Sequence, residues 1–319
     1  MSVISVVPWN GHKAAASFTF DDASESHITN LAPLAEKLGI KVTCFLTGDS
    51  WYFRHNYDKF LQMARAGHEM GNHTETHPKL TQLSDADRRH EILDYKKFLQ
   101  DKLPGLPFNV FGTPYCDNNE EVQKIIGQEH YISRDCRGYG RITWGKEPSW
   151  LSMDSKAWQR SLNTVEEFQQ IARDTNDAGE WIIYMNHGVD TDQNNDYSIN
   201  PDDLAAIMQQ AKDLDMWIAP FGTIGAYHRA KFALENAEVR CENVSCADPS
   251  QGRYYKIRWE IPHSQMPSKL PLMVKINTAE LDTNCQGKRP TVFQKGKIIN
   301  PDESGFYTIE FASLELEIR

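Results

Sequence analysis

Short apolar runs alternate with longer helical patterns between about residues 14 and 230. This rhythm is typical of repeated βα units around a mainly parallel sheet or barrel. Strands are predicted at Ala15–Phe20, Val42–Leu46, His68–Asn72, Phe108–Gly112, Tyr131–Ser133, Trp181–Asn186 and Trp217–Pro220. The pattern predicts an α/β fold, a deformed (β/α) barrel of about seven parallel strands.

Helix starts lie between these runs and carry N-cap signatures. They are Ser84 with Asp87, Thr164 with Glu167, and Asn200 with Pro201. The segments that follow keep apolar residues at three- and four-residue spacing, so we expect these helices to cover the outside of the sheet.

The pattern changes after about residue 236, where β-branched and alternating stretches are separated by Pro, Gly, Asn and Ser. Four such stretches are Tyr254–Ile261, Leu270–Ile276, Thr291–Ile299 and Phe306–Ile318. The sequence therefore predicts two domains, a catalytic (β/α) barrel over residues 1–235 and a small antiparallel β-rich domain of unknown role over residues 236–319.

Charge and composition limit the classes of partner. The 319 residues include 34 basic and 44 acidic ones, a formal net charge of -10, which argues against sequence-independent binding of nucleic acid. No apolar run approaches the roughly 20 residues of a membrane helix. The first twelve residues lack the pattern of a secretory signal. Either a cytoplasmic location or a secreted or periplasmic one with the leader absent is compatible with this, and we favour the second. The oligomeric state is left open.

Six cysteines are too few for a disulfide scaffold. Cys241 and Cys246 are close enough in sequence for a disulfide in an oxidising compartment, although a free pair fits equally well.

Polar residues with reactive side chains follow the ends of the predicted strands. They are Asp21 and Asp22, His73 and His77, Tyr115, Asp135 and His187. Because the loops after parallel barrel strands converge on one face, we expect these residues to meet there.

Two histidines four residues apart, together with one carboxylate, can hold a divalent cation and leave coordination positions open. Zinc in such a site lowers the pKa of a water molecule and polarises a carbonyl oxygen. Adjacent carboxylates suggest a division of labour between a metal ligand and a base, and His187 could then protonate the leaving atom.

These residues resemble the motifs of the polysaccharide deacetylases, carbohydrate esterase family 4. The matching segments are Thr-Phe-Asp-Asp at 19–22, Gly-His-Glu at 67–69, Gly-Asn-His-Thr at 71–74, His-Pro at 77–78, Pro-Tyr at 114–115, Asp135, and the apolar strand 183–187 that ends in histidine. The resemblance covers about residues 14–230.

The resemblance implies a role for each matching residue. Asp22, His73 and His77 would bind the metal, with Zn²⁺ expected and Co²⁺, Ni²⁺ or Mn²⁺ as alternatives. Asp21 would act as general base, and His187 as general acid.

Two further residues have implied roles, and one position departs from the family. The backbone N–H of Tyr115 would help to stabilise the oxyanion, and Asp135 would orient or tune His187. Gly112 occupies the place where the family has an arginine beside the base. Arg134 or Arg137 from the next strand could replace that arginine.

Aromatic residues near the predicted cleft could stack on sugar rings, although most tryptophans serve packing. Tyr115 and Trp144 are the substrate-binding candidates. The side chains of Trp51, Tyr139 and Trp150 could stack on a sugar ring in the same way.

The resemblance implies removal of acetyl groups, as amide or ester, from an oligosaccharide or polysaccharide. Two alternatives stay open at this point. One is a related barrel hydrolase that acts on a small, non-polymeric amide. The other is a catalytically inactive carbohydrate-binding protein.

Overall fold

The chain divides into two compact units, His12–Gly225 and a second unit made of Met1–Gly11 with Ala226–Arg319. The structure, a computed structural model, describes residues 3–191, 195–243, 253–277, 279 and 290–319. The division differs from the predicted boundary after residue 235. At the N-terminus the reason is that strand Ile4–Val6 pairs antiparallel with strand Pro271–Ile276.

The strands of the described residues are numbered in chain order. They are β1 (Ile4–Val6), β2 (Ala15–Phe20), β3 (Thr43–Leu46), β4 (Glu69–Asn72), β5 (Val110–Gly112), β6 (Ile132–Arg134), β7 (Arg141–Thr143), β8 (Lys156–Ala157), β9 (Glu180–Asn186), β10 (Trp217–Ile218), β11 (Glu238–Asn243), β12 (Arg253–Arg258), β13 (Pro271–Ile276), β14 (Val292–Gln294), β15 (Lys297–Ile299), β16 (Tyr307–Glu310) and β17 (Glu315–Ile318).

The α-helices of the described residues are numbered in the same way. They are α1 (Ala32–Leu38), α2 (Trp51–His55), α3 (Tyr57–Arg65), α4 (Asp85–Arg89), α5 (Tyr95–Lys102), α6 (Glu120–Glu129), α7 (Val165–Ala178), α8 (Pro201–Asp213) and α9 (Phe221–Glu235). Two π-helical turns, His27–Leu31 and His90–Asp94, lead into α1 and α5.

The first unit is a curled, mainly parallel sheet with the order β6-β5-β4-β3-β2-β9-β7, in which β10 pairs with β2 and β8 with β9. All seven predicted strands lie in this sheet and run parallel, while β7 joins β9 antiparallel. The predicted deformed (β/α) barrel is confirmed.

Strand β2 shows how the sequence positions the site. Every residue of β2 is buried. Phe18 stacks on Tyr184 with ring centroids 5.0 Å apart, whereas Thr19 donates a hydrogen bond to the Tyr184 carbonyl at 2.8 Å. Since side chains alternate along a strand, the residues in the phase of Thr19 face away from Phe18, and Asp21 continues that phase just past the strand end.

The predicted helix starts are confirmed by side-chain caps. The hydroxyls of Ser84 and Thr164 accept from the backbone N–H three residues on. Asn200 caps α8, which has Pro201 in its first turn. No helix in the described part of the chain combines the length and hydrophobicity needed to cross a bilayer.

The second unit contains two antiparallel sheets, β1-β13-β16 and β11-β12-β17-β14-β15. The segment Thr291–Ile299, predicted as one stretch, is a hairpin of β14 and β15 that turns at Lys295 and Gly296, both with positive φ.

Candidate active site

Three side chains from two loops converge at the carboxyl ends of the barrel strands. The Nε2 atoms of His73 and His77 lie 3.2 Å apart. Oδ1 of Asp22 lies 3.6 Å from Nε2 of His73 and 3.4 Å from Nε2 of His77. Among the described residues, this is the group of histidine, cysteine and carboxylate side chains whose ligand atoms could hold one metal ion.

The geometry of this trio fits a divalent ion. Ligand atoms at about 2.1 Å from a tetrahedral centre lie roughly 3.4 Å from one another, which is close to the three measured separations. Oδ1 of Asp22 is buried and has no hydrogen-bond partner among the described residues. An unsatisfied buried carboxylate oxygen this close to two imidazole nitrogens is expected where a cation binds.

The tautomer of His73 suits a ligand. Its Nδ1 donates a hydrogen bond to the carbonyl of Gly112 at 2.7 Å, so the lone pair is on Nε2. Burial lowers the pKa of His73 to about 3, and burial also lowers the pKa of His77. Both imidazoles are therefore neutral near pH 7, as metal ligation requires.

Asp21 lies beside the trio and is paired with Arg134. Nη2 of Arg134 donates to Oδ1 of Asp21 at 2.8 Å and to Oδ2 at 2.6 Å, and both side chains are buried. Burial favours a raised pKa at Asp21, but the charges of Arg134, His73 and His187, together with the hydrogen bond from Arg134, outweigh burial and hold the pKa below its ordinary value. Burial raises the pKa of Asp22 to about 6, against the opposing effect of His187. The pKa values of the two adjacent carboxyl groups are therefore shifted in opposite directions.

Arg134 replaces the arginine that the family has at the position of Gly112. The sequence predicted either Arg134 or Arg137 in this role. Gly112 pairs with Arg134 in the register of β5 and β6. A Cβ atom at Gly112 would lie 3.0 Å from Nη2 of Arg134 and 2.8 Å from Cγ of Phe45. The guanidinium also lies 5.0 Å from the centre of the Phe45 ring. Glycine at position 112 thus leaves the room that the arginine occupies.

Several residues of the site have left-handed backbone conformations, which are uncommon outside glycine. Asp22 has φ 74°, His77 has φ 57° and Tyr115 has φ 54°. Such conformations persist where the surrounding structure enforces them, and they cluster at functional sites.

His187 lines the same cavity, and its backbone is held from the loop after β2. Nε2 of His27 donates to the His187 carbonyl at 2.8 Å. Two residues on, the N–H of Val189 donates to Oγ of Ser26 at 2.9 Å, and Nδ2 of Asn30 donates to the Val189 carbonyl at 2.7 Å. These three contacts fix the backbone that carries the predicted acid.

Tyr115 lies against the metal trio, with its ring centroid 4.6 Å from that of His77. The neighbouring Cys116 forms a disulfide with Cys136, whose Cα atoms are 5.6 Å apart. Arg137 donates to the carbonyls of Cys116 and Asn118 at 2.6 and 3.0 Å, so it stabilises this loop. The arginine that contacts Asp21 is Arg134.

The expected contact between Asp135 and His187 is wrong. The Asp135 carboxylate accepts hydrogen bonds from Ser152 at 2.9 Å and from Asn118 at 3.3 Å. Nδ1 of His187 has no hydrogen-bond partner among the described residues. The reason is the alternation of side chains at the end of β6, where Arg134 faces Asp21 and the next residue faces away from it.

The cavity around these residues has a volume of about 690 Å³. Besides the residues named, it is lined by apolar and amide side chains that the sequence did not single out: Trp158, Gln159, Leu162, Asn163, Met185 and Tyr197. Trp144 does not line it, and neither do Trp51, Tyr139 and Trp150. Cys246, the other predicted disulfide candidate with Cys241, lies outside the described residues.

Comparison with known proteins points to one family. Residues 10–131 match the family model described as polysaccharide deacetylase. A peptidoglycan-N-acetylglucosamine deacetylase of Bacillus cereus is 28% identical over 130 residues, which are 39% of this chain and 44% of the relative. A chitin deacetylase of Colletotrichum lindemuthianum is 32% identical over 114 residues, 35% of this chain and 46% of the relative. The matched segments span less than half the length of these relatives.

Solved structures share the fold. The Xyl-CE4 domain of a multidomain xylanase from the hindgut metagenome of Trinervitermes trinervoides superposes with a TM-score of 0.50 at 19% identity, and the match covers 67% of this chain and 89% of that one. The chitin deacetylase of Colletotrichum lindemuthianum gives a TM-score of 0.50 at 18% identity and coverages of 70% and 91%.

Proposed function

Because residues 10–131 match the polysaccharide deacetylase family model, we propose that this chain is a metal-dependent hydrolase that removes N- or O-acetyl groups from an oligosaccharide or polysaccharide. The observation that carries the proposal is the meeting of Asp22, His73 and His77 beside the buried Asp21–Arg134 pair in one open cavity.

The trio would hold a divalent cation, with Zn²⁺ expected because two imidazoles and one carboxylate suit it. Such an ion supplies Lewis acidity, which lowers the pKa of a water molecule and polarises the acyl oxygen. Co²⁺, Ni²⁺ and Mn²⁺ remain alternatives for the same ligands.

Asp21 is the proposed general base. Its lowered pKa keeps it ionised near neutral pH, and Arg134 holds the carboxylate in one orientation, so it can accept a proton from the attacking water. The backbone N–H of Tyr115 is the proposed donor to the oxyanion. His187 is the proposed acid that protonates the leaving nitrogen or oxygen, with its backbone fixed by the contact from His27.

The Cys116–Cys136 disulfide supports an oxidising compartment, because such bonds persist mainly in secreted or periplasmic proteins. We therefore propose a location outside the cytoplasm.

The test is acetate release from N-acetylglucosamine oligomers, peptidoglycan and acetylated xylan, with and without a chelator. We expect release that stops on chelation and returns with Zn²⁺. Release that continues in metal-free protein would refute the metal mechanism. Hydrolysis of small ureides without acetate release would favour the non-polymeric amide hydrolase, and sugar binding without any turnover would favour an inactive protein.

A further inference from the structure

We propose that Tyr197 and Leu162 form a sugar-binding subsite beside His187, which takes a sugar unit adjacent to the one that carries the acetyl group. The inference rests on the proposed function and deepens it, since it assigns the residues that hold a second sugar unit and predicts that these residues cause an oligomer to be preferred over a single acetylated sugar.

The two side chains are apolar and open to solvent within the catalytic cavity. Leu162 lies in the loop between β8 and α7 and is 71% exposed, and Tyr197 lies in the loop between β9 and α8 and is 51% exposed. Both line the cavity that contains Asp22 and His187. Removing apolar surface from water lowers the free energy of the system. Two exposed apolar side chains beside the reacting groups are therefore positioned to be covered by a ligand.

The two loops are joined to each other through Asp196. Its Oδ1 accepts from the N–H of Ser161 at 2.7 Å, and its Oδ2 accepts from Oγ of Ser161 and from Nε2 of Gln159, both at 2.7 Å. Its carbonyl accepts from the N–H of Arg160 at 2.8 Å. Leu162 and Tyr197 each lie one residue beyond a member of this network.

A second anchor secures the same loops. The carbonyl of Ser198 accepts from Nε1 of Trp158 at 3.2 Å and from Nη2 of Arg160 at 3.0 Å. The chain on both sides of Tyr197 is therefore fixed before a ligand arrives, so little conformational entropy is lost on binding there.

The chemistry of this place fits a sugar ring. The Tyr197 ring lies 5.2 Å from the His187 ring, and its exposed face can pack against the C–H face of a pyranose. Gln159 and Asn163 line the same cavity and carry amides that can bond to hydroxyl groups. Since the acetylated unit must lie between the metal trio and His187, a ring on Tyr197 belongs to a neighbouring unit of the chain.

The test compares Tyr197→Ala with the wild type on N-acetylglucosamine and its tetramer, and on an acetylated xylose and its tetramer. We expect the tetramer-to-monomer ratio of kcat/KM to fall about tenfold, through KM, because the apolar surface that the sugar ring buries against Tyr197 is lost. Tyr197→Phe keeps the ring and should retain the ratio. Tyr139→Ala removes a tyrosine that is 82% exposed but lies outside the cavity, and it should change nothing.

An unchanged tetramer-to-monomer ratio in Tyr197→Ala overturns the subsite, even if kcat/KM falls equally for both substrates. If no acetate is released, the proposed function fails separately, and calorimetric binding of the same sugars still decides the subsite. Tetramer binding that weakens in Tyr197→Ala supports it. Unchanged binding, or no binding of either tetramer to the wild type, overturns it.

Discussion

At the level of single residues, the buried pair of Asp21 and Arg134 is the contact on which the proposed chemistry depends most. The sequence indicated that the family's arginine was missing at Gly112 and offered Arg134 and Arg137 as replacements. The choice between them depends on which side chain faces inward at the end of β6, and the register of β5 and β6 decides it. Motif matching alone could not supply that register.

We expect Arg134→Lys to lower kcat about 100-fold while metal content is retained. A lysine is shorter and lacks the planar guanidinium that lies 5.0 Å from the centre of the Phe45 ring, so its ammonium would hold the two Asp21 oxygens in a different position. Small displacements of a catalytic group have effects of this size. Steady-state kinetics and metal analysis measure both quantities. Wild-type kcat in a fully folded Arg134→Lys protein would contradict the role of Arg134.

A double-mutant cycle separates catalysis from stability at this pair. Arg134→Gln alone leaves the Asp21 carboxylate buried without its partner, so we expect a loss on the order of 3 kcal/mol in the free energy of unfolding. Asp21→Asn with Arg134→Gln removes both charges and should recover part of that loss without recovering activity. Additive losses in urea titrations would show that the two residues are not coupled.

Glu69 provides a pH prediction away from the metal trio. Burial raises its pKa to about 7, against hydrogen bonds from Thr43 and from the N–H of Gly222, which both reach Oε2 at 2.8 Å. The raised pKa means that the folded state binds this proton more tightly than the unfolded chain. Wild-type stability should therefore fall as pH rises from the ordinary pKa through about 7.

Glu69→Gln should remove that slope, because the amide oxygen can replace Oε2 and the NH₂ group mimics the protonated oxygen. Unfolding free energies of the variant should agree with those of the wild type at pH 4, below the ordinary pKa, and exceed them by on the order of 3 kcal/mol at pH 8. Glu166→Gln, at an exposed position of α7, controls for the loss of one carboxylate. Parallel pH curves for Glu69→Gln and wild type would rule out the effect.

At the level of elements, the parallel strands could be predicted because strands buried on both faces read as apolar runs. The hairpin of β14 and β15 could not be separated in the sequence, since Lys295 and Gly296 give a weaker turn signal than Asn-Gly. Asp135 was placed beside His187 because strand ends were treated as converging. Convergence fixes where a loop lies, but the alternation of side chains decides what each residue contacts.

The disulfide between Cys116 and Cys136 was not predicted, although a signal existed. Each cysteine comes shortly after the end of one of two neighbouring parallel strands, β5 and β6, so their proximity follows once the strand order is known. Sequence separation alone gave no reason to pair them.

Loss of this disulfide should lower both stability and turnover. The bond closes a loop of 20 residues, for which chain-entropy arguments give about 3 kcal/mol. It also adjoins Tyr115, so we expect kcat to fall in Cys116→Ser with Cys136→Ser. Melting curves and acetate release with and without reductant measure this. Reductant that changes the wild type but leaves the double variant unaffected confirms the assignment, and an insensitive wild type contradicts it.

At the level of the whole molecule, the site assembles from loops that are far apart in sequence but leave the same edge of one sheet. For this reason the metal trio could be predicted from residues 22, 73 and 77 alone. The walls of the cavity could not, because Trp158, Leu162 and Tyr197 lie in connections that carry no periodic pattern.

Metal binding should also be visible as a change in global stability. An ion that binds only the folded state raises the free energy of unfolding, so the melting temperature should increase with Zn²⁺ concentration by roughly 5 °C at a large excess over Kd. Asp22→Asn should abolish most of that increase. An equal increase in Asp22→Asn and wild type would indicate that Zn²⁺ binds elsewhere.

The left-handed backbone at Asp22, His77 and Tyr115 governs how substitutions here must be interpreted. Alanine scanning would combine two losses, the functional side chain and a residue type that tolerates this conformation. Asparagine adopts it more readily than most residues, so Asp22→Asn changes the carboxylate while sparing the main chain. Asp22→Gly and Asp22→Ala both lose the carboxylate, but glycine adopts this conformation without strain, so the difference between these two variants reports the backbone cost alone.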